Sequence, residues 1–282
     1  MKTAIIILNY NDYPTTKDML EKIKDYNSID YIVVVDNKSI DDSYQKLKVL
    51  ENSKIKVIQT DCNKGYSYGN NYGLKYLENK NINYVIISNP DVDFEEEVIS
   101  QMKDDLKDDK ITLVAPIINQ KGEKLGGWKL PHFKEDLISN TIYFHRYANK
   151  LLKYDDSYYQ KNLVQVDVVS GCFFMINYQR FKEINFFDTN TFLYYEENIL
   201  SSKLKKYNYR SYIDTRILVN HNLSVSVDKS INKLKKYKLL KDSQMYYEKK
   251  YNNINIFQLF LLRLFYYITL IISYIVLLFR RS

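Results

Sequence analysis

Between residues 3 and 116, short apolar runs alternate with amphipathic stretches, the pattern of βα units built around a parallel sheet. Four runs read as strands: Thr3 to Leu8, Tyr31 to Val35, Ile55 to Gln59 and Tyr84 to Ser88. Each is rich in β-branched or aromatic residues and ends in polar turn residues. Helices are expected from about Pro14 to Tyr26, Asp41 to Glu51 and Tyr68 to Asn79, with Pro14 and Asp41 suited to helix starts. A fifth run, Ile111 to Ile118, follows an acidic helix. Regularity lapses from Gly122 to Asn162, where Gly126, Gly127, Pro131 and His132 indicate an irregular, loop-rich insert. It returns in Val164 to Val169 and Cys172 to Ile176, followed by a helical stretch from Glu197 to Tyr207. The pattern predicts an α/β fold, a Rossmann-like and mainly parallel sheet flanked by helices, over residues 1 to 228.

The last part of the chain reads differently. Residues Ile256 to Phe279 form a 24-residue apolar run interrupted by Gln258 and Arg263. As a helix rising ~1.5 Å per residue it would reach ~36 Å, enough to cross a bilayer. Residues 229 to 255 before it are basic, with Lys229, Lys233, Lys235, Lys236, Lys238 and Lys241 suited to an anionic cytoplasmic leaflet. A membrane-inserted C-terminal helix with the body on the cytoplasmic side is therefore expected. Packing of that helix against a partner, or in a homo-oligomer, is the alternative.

Charge and cysteine usage narrow the function classes. From residue 229 onward eight Lys and three Arg face Asp242 and Glu248, a net +9, which leaves the first 228 residues at about −2. An acidic body excludes nucleic acid as the expected partner, since that would need the basic patch on the folded part. Cys62 and Cys172 form no C-x-x-C pair and suggest neither a zinc site nor a disulfide. The apolar run Ala4 to Leu8 is too short for a signal peptide.

In open parallel sheets, ligands bind beyond the carboxyl ends of the strands. The residues there are polar: Asn9, Tyr10 and Asn11 after the first strand, Asp36, Asn37, Lys38 and Ser39 after the second, Asn63, Lys64 and Gly65 after the third, and Asn89, Pro90 and Asp91 after the fourth. Any one cluster is also what strand ends and helix caps use. Asp36 offers a carboxylate to a nucleobase or ribose, with an Asx turn as the alternative. The stretch from Asn63 to Gly73, including Gly65 and Asn70, brings three glycines to a helix start, where backbone amides favour anions. It is not a Walker loop. Asp91 is the leading metal candidate, because Mg²⁺ or Mn²⁺ on a nucleoside diphosphate needs only one or two protein carboxylates. Glu196 and Glu197 leave the aromatic segment Phe192 to Tyr195, where burial can raise a carboxyl pKa and make a general base, with a solvated helix start as the alternative. His221 follows a further predicted strand and can reach a metal or diphosphate, although a lone histidine is more often simply packed. No Ser-His-Asp elbow is present.

Taken in chain order, Ile7 to Asn11, Val34 to Ser39, Asn63 to Gly73, Asn89-Pro90-Asp91-Val92, Ser170 to Met175, Phe186-Phe187-Asp188, Phe192 to Glu197 and His221 resemble the family 2 glycosyltransferases of the GT-A fold, especially bacterial rhamnosyltransferase-like members. The resemblance covers roughly residues 3 to 225. It implies that Asp36 helps bind the base with Asn9 and the Asn63 to Asn71 segment nearby, and that Asn89-Pro90-Asp91 occupies the D-x-D position, Asp91 binding the metal. Asp91-Val92-Asp93 is a second register. It further implies Glu197 as the base where the family carries Asp, with Glu196 as substitute. The implied reaction is an inverting displacement from a nucleotide-sugar donor, dTDP-rhamnose or a UDP-sugar, onto a lipid-linked saccharide acceptor in bacterial surface polysaccharide synthesis. A catalytically silent scaffold of a membrane assembly complex is the alternative. A nucleotidyltransferase is disfavoured because Asn9 to Pro14 lacks a basic glycine-rich loop.

Overall fold

The computed structural model describes residues 1 to 141, 145 to 222 and 233 to 279. Its first half follows from strand alternation. β1 (Thr3–Asn9), β2 (Tyr31–Asp36), β3 (Ile55–Gln59) and β4 (Tyr84–Ser88) are parallel, in the order β3-β2-β1-β4. Alternate residues go to opposite faces. Ile5, Ile7, Val34 and Ile86 meet Met19, Leu20 and Ile23 of α1 (Tyr13–Ile23) and Ile99 and Met102 of α4 (Glu96–Asp105). Ile6, Val33, Val35, Val85 and Ile87 meet Leu74 of α3 (Tyr66–Tyr76) and Leu200 and Leu204 of α8 (Glu196–Lys206). Both faces are covered, which is why these strands are almost uninterrupted apolar runs.

The second half is mixed, and here the expectation of a mainly parallel sheet is corrected. Beyond β4 lies β9 (Phe173–Asn177), antiparallel to it, then β6 (Leu113–Gln120), antiparallel to β9, then β10 (Ser211–His221), parallel to β6. The two-residue strand β5 (Val92–Asp93) closes the edge antiparallel to β10. β8 (Leu163–Val166) also pairs with β10, and β7 (Glu123–Leu125) forms a hairpin with β6. Lys121 and Gly122, both at positive φ (52° and 84°), make the tight turn such a hairpin requires. Because β1 leads to β2 and β3 on one side and adjoins β4 on the other, the sheet has its switch point between the carboxyl ends of β1 and β4.

The stretch expected to be irregular contains α5 (Phe133–Ser139), α6 (His145–Leu152) and a 3₁₀ turn (Asp156–Gln160). The start of α5 is capped, the Glu135 carboxylate accepting from the His132 backbone N–H at 3.2 Å. Elements too short to show a helical period are what hid this pair of helices.

β10 breaks register between Asp214 and Leu218. In the break, the Arg216 guanidinium bonds Asp214 at 2.8 Å and Asp105 of α4 at 2.7 Å, both carboxylates being buried. Asn119 donates to Asn220 at 2.8 Å, so the last residues of β10 are held from two sides.

The remaining helices are α2 (Ser43–Lys48), α7 (Tyr178–Glu183), α9 (Lys233–Lys250) and α10 (Ile256–Phe279). The expected membrane insertion and anchoring at the cytoplasmic face do not hold: no helix among the described residues is long and apolar enough to cross a membrane. One side of α10 packs on the body. Leu262 and Tyr266 are buried, Thr269 donates to the Asn140 carbonyl at 2.7 Å, and the Tyr266 ring stacks on Tyr237 of α9. Phe260, Leu264, Tyr267 and Ile271 lie on its exposed side. Lys241, expected at a lipid surface, is buried against α5 and donates to Ser139. Lys229 lies outside the described residues.

Candidate active site

The carboxyl ends of β1 and β2 form one hydrogen-bonded floor. Asp36 is fully buried, and its carboxylate accepts from Asn9 Nδ2 at 2.8 Å, Ser39 N at 2.9 Å, Ser39 Oγ at 2.6 Å and Gln59 Nε2 at 2.9 Å. Four donors fill the acceptor capacity of a carboxylate. Asp36 is thus committed to holding Asn9, Ser39 and Gln59 in place. Asn9 in turn accepts from Thr16 at 2.8 Å, and Asn11, in the left-handed region at φ 52°, receives the Ile40 N–H at 2.8 Å.

The Asn63 to Asn70 segment is joined to this floor. Asn37 Nδ2 donates to Asn63 Oδ1 and to the Gly65 carbonyl, both at 3.1 Å, and Asn63 Oδ1 also accepts from Gly65 N at 3.0 Å. Asn70 donates to the Tyr66 carbonyl at 3.0 Å, inside α3. Gly65 has φ 95° and ψ −174°, a region essentially restricted to glycine. A Cβ there would lie 1.9 Å from the Phe192 carbonyl oxygen, the same oxygen that accepts from Tyr66 N at 3.0 Å. Gly65→Ala is expected to cost roughly 2–4 kcal/mol of stability from strain and overlap together. Chemical denaturation would show it, and an unchanged midpoint would contradict the close approach.

Asp91 and His221, 130 residues apart in sequence, meet because β5 pairs with the end of β10, His221 opposite Val92. His221 Nε2 lies 3.2 Å from Asp91 Oδ1, the Asp91 carbonyl accepts from Asn222 N at 2.9 Å, and His221 Nδ1 is 3.1 Å from Gln120 Oε1. Burial alone would lower the His221 pKa, but bonding to Asp91 and Cys172 overcomes this and raises it to about 10. Asp91 is common to both D-x-D registers; Asp93, the second acid of Asp91-Val92-Asp93, is turned to an ion pair with Lys22 at 2.6 Å and not to His221. Once a cation displaces the His221 proton, one carboxylate and one imidazole suit Mn²⁺ or Mg²⁺, whose other positions diphosphate and water would fill. No group of three or more His, Cys, Asp or Glu that could hold a metal occurs among the described residues.

Glu196 and Glu197 open α8 directly after Tyr194 and Tyr195, both left-handed at φ 72° and 65°. Non-glycine residues held so cost about 1–3 kcal/mol each and persist only where their surroundings fix them. Glu196 is buried and Glu197 partly exposed, with Gly171 N donating to Glu197 Oε1 at 3.4 Å. Burial pushes both carboxyls up, and for Glu196 the neighbouring Glu197 charge adds to it. A cavity of about 10 Å³, lined in part by Gly171, Phe174, Phe187, Glu197 and Leu200, lies behind the acid; that volume is on the order of one water.

The segment Ser170 to Cys172 ties the two acidic sites together. Cys172 O accepts from Asn89 N at 2.8 Å on the Asp91 side, while Gly171 contacts Glu197 on the other, and Tyr66 donates to the Gly171 carbonyl at 2.6 Å. Residues 4–184 match the family model described as glycosyl transferase family 2. The chain belongs to glycosyl transferase family 2. It is 28% identical over 196 residues to the low-salt glycan biosynthesis hexosyltransferase Agl10 of Haloferax volcanii, a match covering 69% of this chain and 58% of that protein. This relative is an archaeal hexosyltransferase and does not bear out the bacterial rhamnosyltransferase-like leaning. In structure it is similar to S. aureus TarS 1-349 in complex with UDP-GlcNAc (TM-score 0.59, 14% identity, 86% of this chain and 65% of that one). It is also similar to mannosyltransferase PcManGT from Pyrobaculum calidifontis in complex with GDP-Man and Mn²⁺ (TM-score 0.54, 13% identity, 79% of this chain and 57% of that one). These two likenesses concern the GT-A fold.

The sequence did not single out Gln120 as a site neighbour, whereas Tyr66 and Gly171 fell within the Asn63 to Gly73 and Ser170 to Met175 stretches. Gln120 ends a strand beside the one ending in His221, a placement visible only once the strand order is known. Trp128, the chain's one tryptophan, donates to Asn198 of α8 at 3.0 Å, and only its isolation in the sequence could have drawn attention.

Proposed function

We propose that this chain transfers a hexosyl unit from a nucleoside diphosphate sugar to a saccharide hydroxyl, by a single inverting displacement. The observation carrying this reading is that the Ser170 to Cys172 segment joins both acidic sites: Asn89, two residues before Asp91, bonds Cys172, and Glu197 bonds Gly171, while Asp91 meets His221. The leaving-group side and the base side are thereby adjacent. Asp36 acts on the nucleotide by orienting Asn9, Ser39 and Gln59, and Asn37, Asn63 and Gly65 shape the loop beside it. Asp91 and His221 would hold Mg²⁺ or Mn²⁺, which when bound neutralises charge developing on the diphosphate. Asn89 sets the strand end from which Asp91 projects. Glu197, destabilised as an anion by burial, takes the proton of the attacking hydroxyl. No separate acid is needed when the leaving group is a metal-held diphosphate.

The hexosyl assignment is supported by the Haloferax relative, although this chain spans 58% of that protein's length. The lipid-linked acceptor came from the family resemblance, with the expected membrane span suiting it; no helix among the described residues is long and apolar enough for such a span, so only a saccharide hydroxyl is proposed. Thermal-shift measurements with UDP-, GDP- and dTDP-sugars, each with Mn²⁺, Mg²⁺ or chelator, test the donor. A metal-dependent rise in Tm with a UDP- or GDP-hexose is expected. A response to dTDP-rhamnose alone would reassign the sugar, and none to any donor would sink the reading.

A further inference from the structure

The two residues flanking Tyr194 are held by two different helices, α9 and α5. The Leu193 carbonyl accepts from Ser243 Oγ of α9 at 2.8 Å, and Tyr195 donates its O–H to Asp136 Oδ1 of α5 at 2.6 Å. The Tyr195 ring also packs on Tyr247 of α9, centroids 5.4 Å apart, while Tyr247 donates to the Pro131 carbonyl at 2.9 Å. Asp136 is joined to α9 through Gln244, whose amide donates to the Asp136 carbonyl at 3.3 Å and to Ser139 at 3.0 Å. Asp136, Ser243, Gln244, Tyr247 and Glu248 are all buried.

The carboxyls of Asp136 and Glu248 meet inside this layer. Glu248 Oε1 accepts from Asn252 at 2.6 Å, whereas Asp136 Oδ2 and Glu248 Oε2 are buried and accept from no other donor. Two carboxyl oxygens facing one another need a proton between them. Burial, followed by the Asp136 charge, raises the Glu248 pKa to about 9, so the proton stays at neutral pH. Lys241 supplies a buried cation beside Asp136. Such a network is fully satisfied only when α5 and α9 are both in place, and loss of a partner leaves a buried polar group exposed to no water.

We propose that α9 is a positioning element for the transfer reaction: through Tyr195 held by the Asp136–Glu248 pair, and through Leu193 held by Ser243, it fixes the left-handed turn that sets Glu196 and Glu197 at the cleft. This inference rests on the base assignment made above. It gives a role in the chemistry to a helix lying beyond the residues that match the family model, 4–184. In this proposal the α9 residues act only through the turn.

The test uses the full chain and two readouts: hydrogen exchange of the segment from Phe192 to Ile199, and turnover of a nucleotide sugar resolved into kcat and KM. Tyr195→Phe and Glu248→Ala are expected to speed exchange in that segment and to lower kcat about tenfold to a hundredfold, because small misplacement of a catalytic group is costly. Donor KM should stay within about twofold, since the donor floor is untouched. Glu248→Gln, isosteric with the neutral acid, should restore both readouts. Tyr195→Phe removes a single oxygen and decides the matter if Glu248→Ala does not fold. Unchanged exchange and turnover in Tyr195→Phe overturn the proposal, and so does faster exchange with unchanged turnover. Glu196→Gln and Glu197→Gln run alongside: if these also turn over normally, the base assignment beneath the proposal has failed as well.

Discussion

Replacing Glu197 by Gln is expected to lower kcat about 10³-fold while leaving the donor KM within about twofold, the signature of a lost general base. The two acids of this pair are not equivalent. Glu196 is the more deeply buried, and burial together with the neighbouring Glu197 charge favours its neutral form. Glu196→Gln, isosteric with that neutral acid, should therefore cost less than about tenfold. The pH dependence follows with its sign. Burial favours the neutral forms, so the acidic limb of kcat/KM should lie above 4.5, the ordinary value for glutamate, and activity should rise with pH through it. Should Glu197→Gln stay within tenfold of the parent while Glu196→Gln loses most activity, the base is Glu196. If neither changes kcat, the pair is structural.

Asp91→Ala is the second large effect: kcat/KM should fall by about 10²-fold or more, and the metal-dependent rise in Tm with donor should vanish. Asp91 is the carboxylate that β5 carries to His221, and His221→Ala removes only the second ligand, so a smaller loss is expected there. The direct ligand readout matters, because the Asp91 carbonyl also anchors Asn222, a backbone bond that alanine keeps. A variant that folds, binds donor with metal and turns over at the parental rate would show that Asp91 is not a ligand.

The strands of the first half were legible because, covered on both faces, they are nearly pure β-branched runs; β3 and β4 begin and end where the sequence places them. The polar clusters after β1 to β4 were legible for a related reason, since in a parallel array the carboxyl ends collect on one edge. What those clusters do to each other was not. That Asp36 is saturated by four donors depends on Gln59, its partner on the neighbouring strand β3, and that Asp91 meets His221 depends on a two-residue strand too short to announce itself. The tail misled because composition alone cannot distinguish a lipid-facing surface from one packed on protein. Leu262 and Tyr266 spend their apolar surface on α9 and α5, and Asn140 and Thr269 seal the contact with hydrogen bonds.

The close approach of Gly65 to the Phe192 carbonyl has a consequence for how this scaffold can diversify. The loop beside the donor floor and the segment leading to the acid pair share one backbone oxygen as their seam. Swapping a donor loop from a relative without the matching aromatic segment would break that seam. A loop exchange that keeps this contact would carry both pieces as a single cassette, or would change only side chains that leave the seam intact.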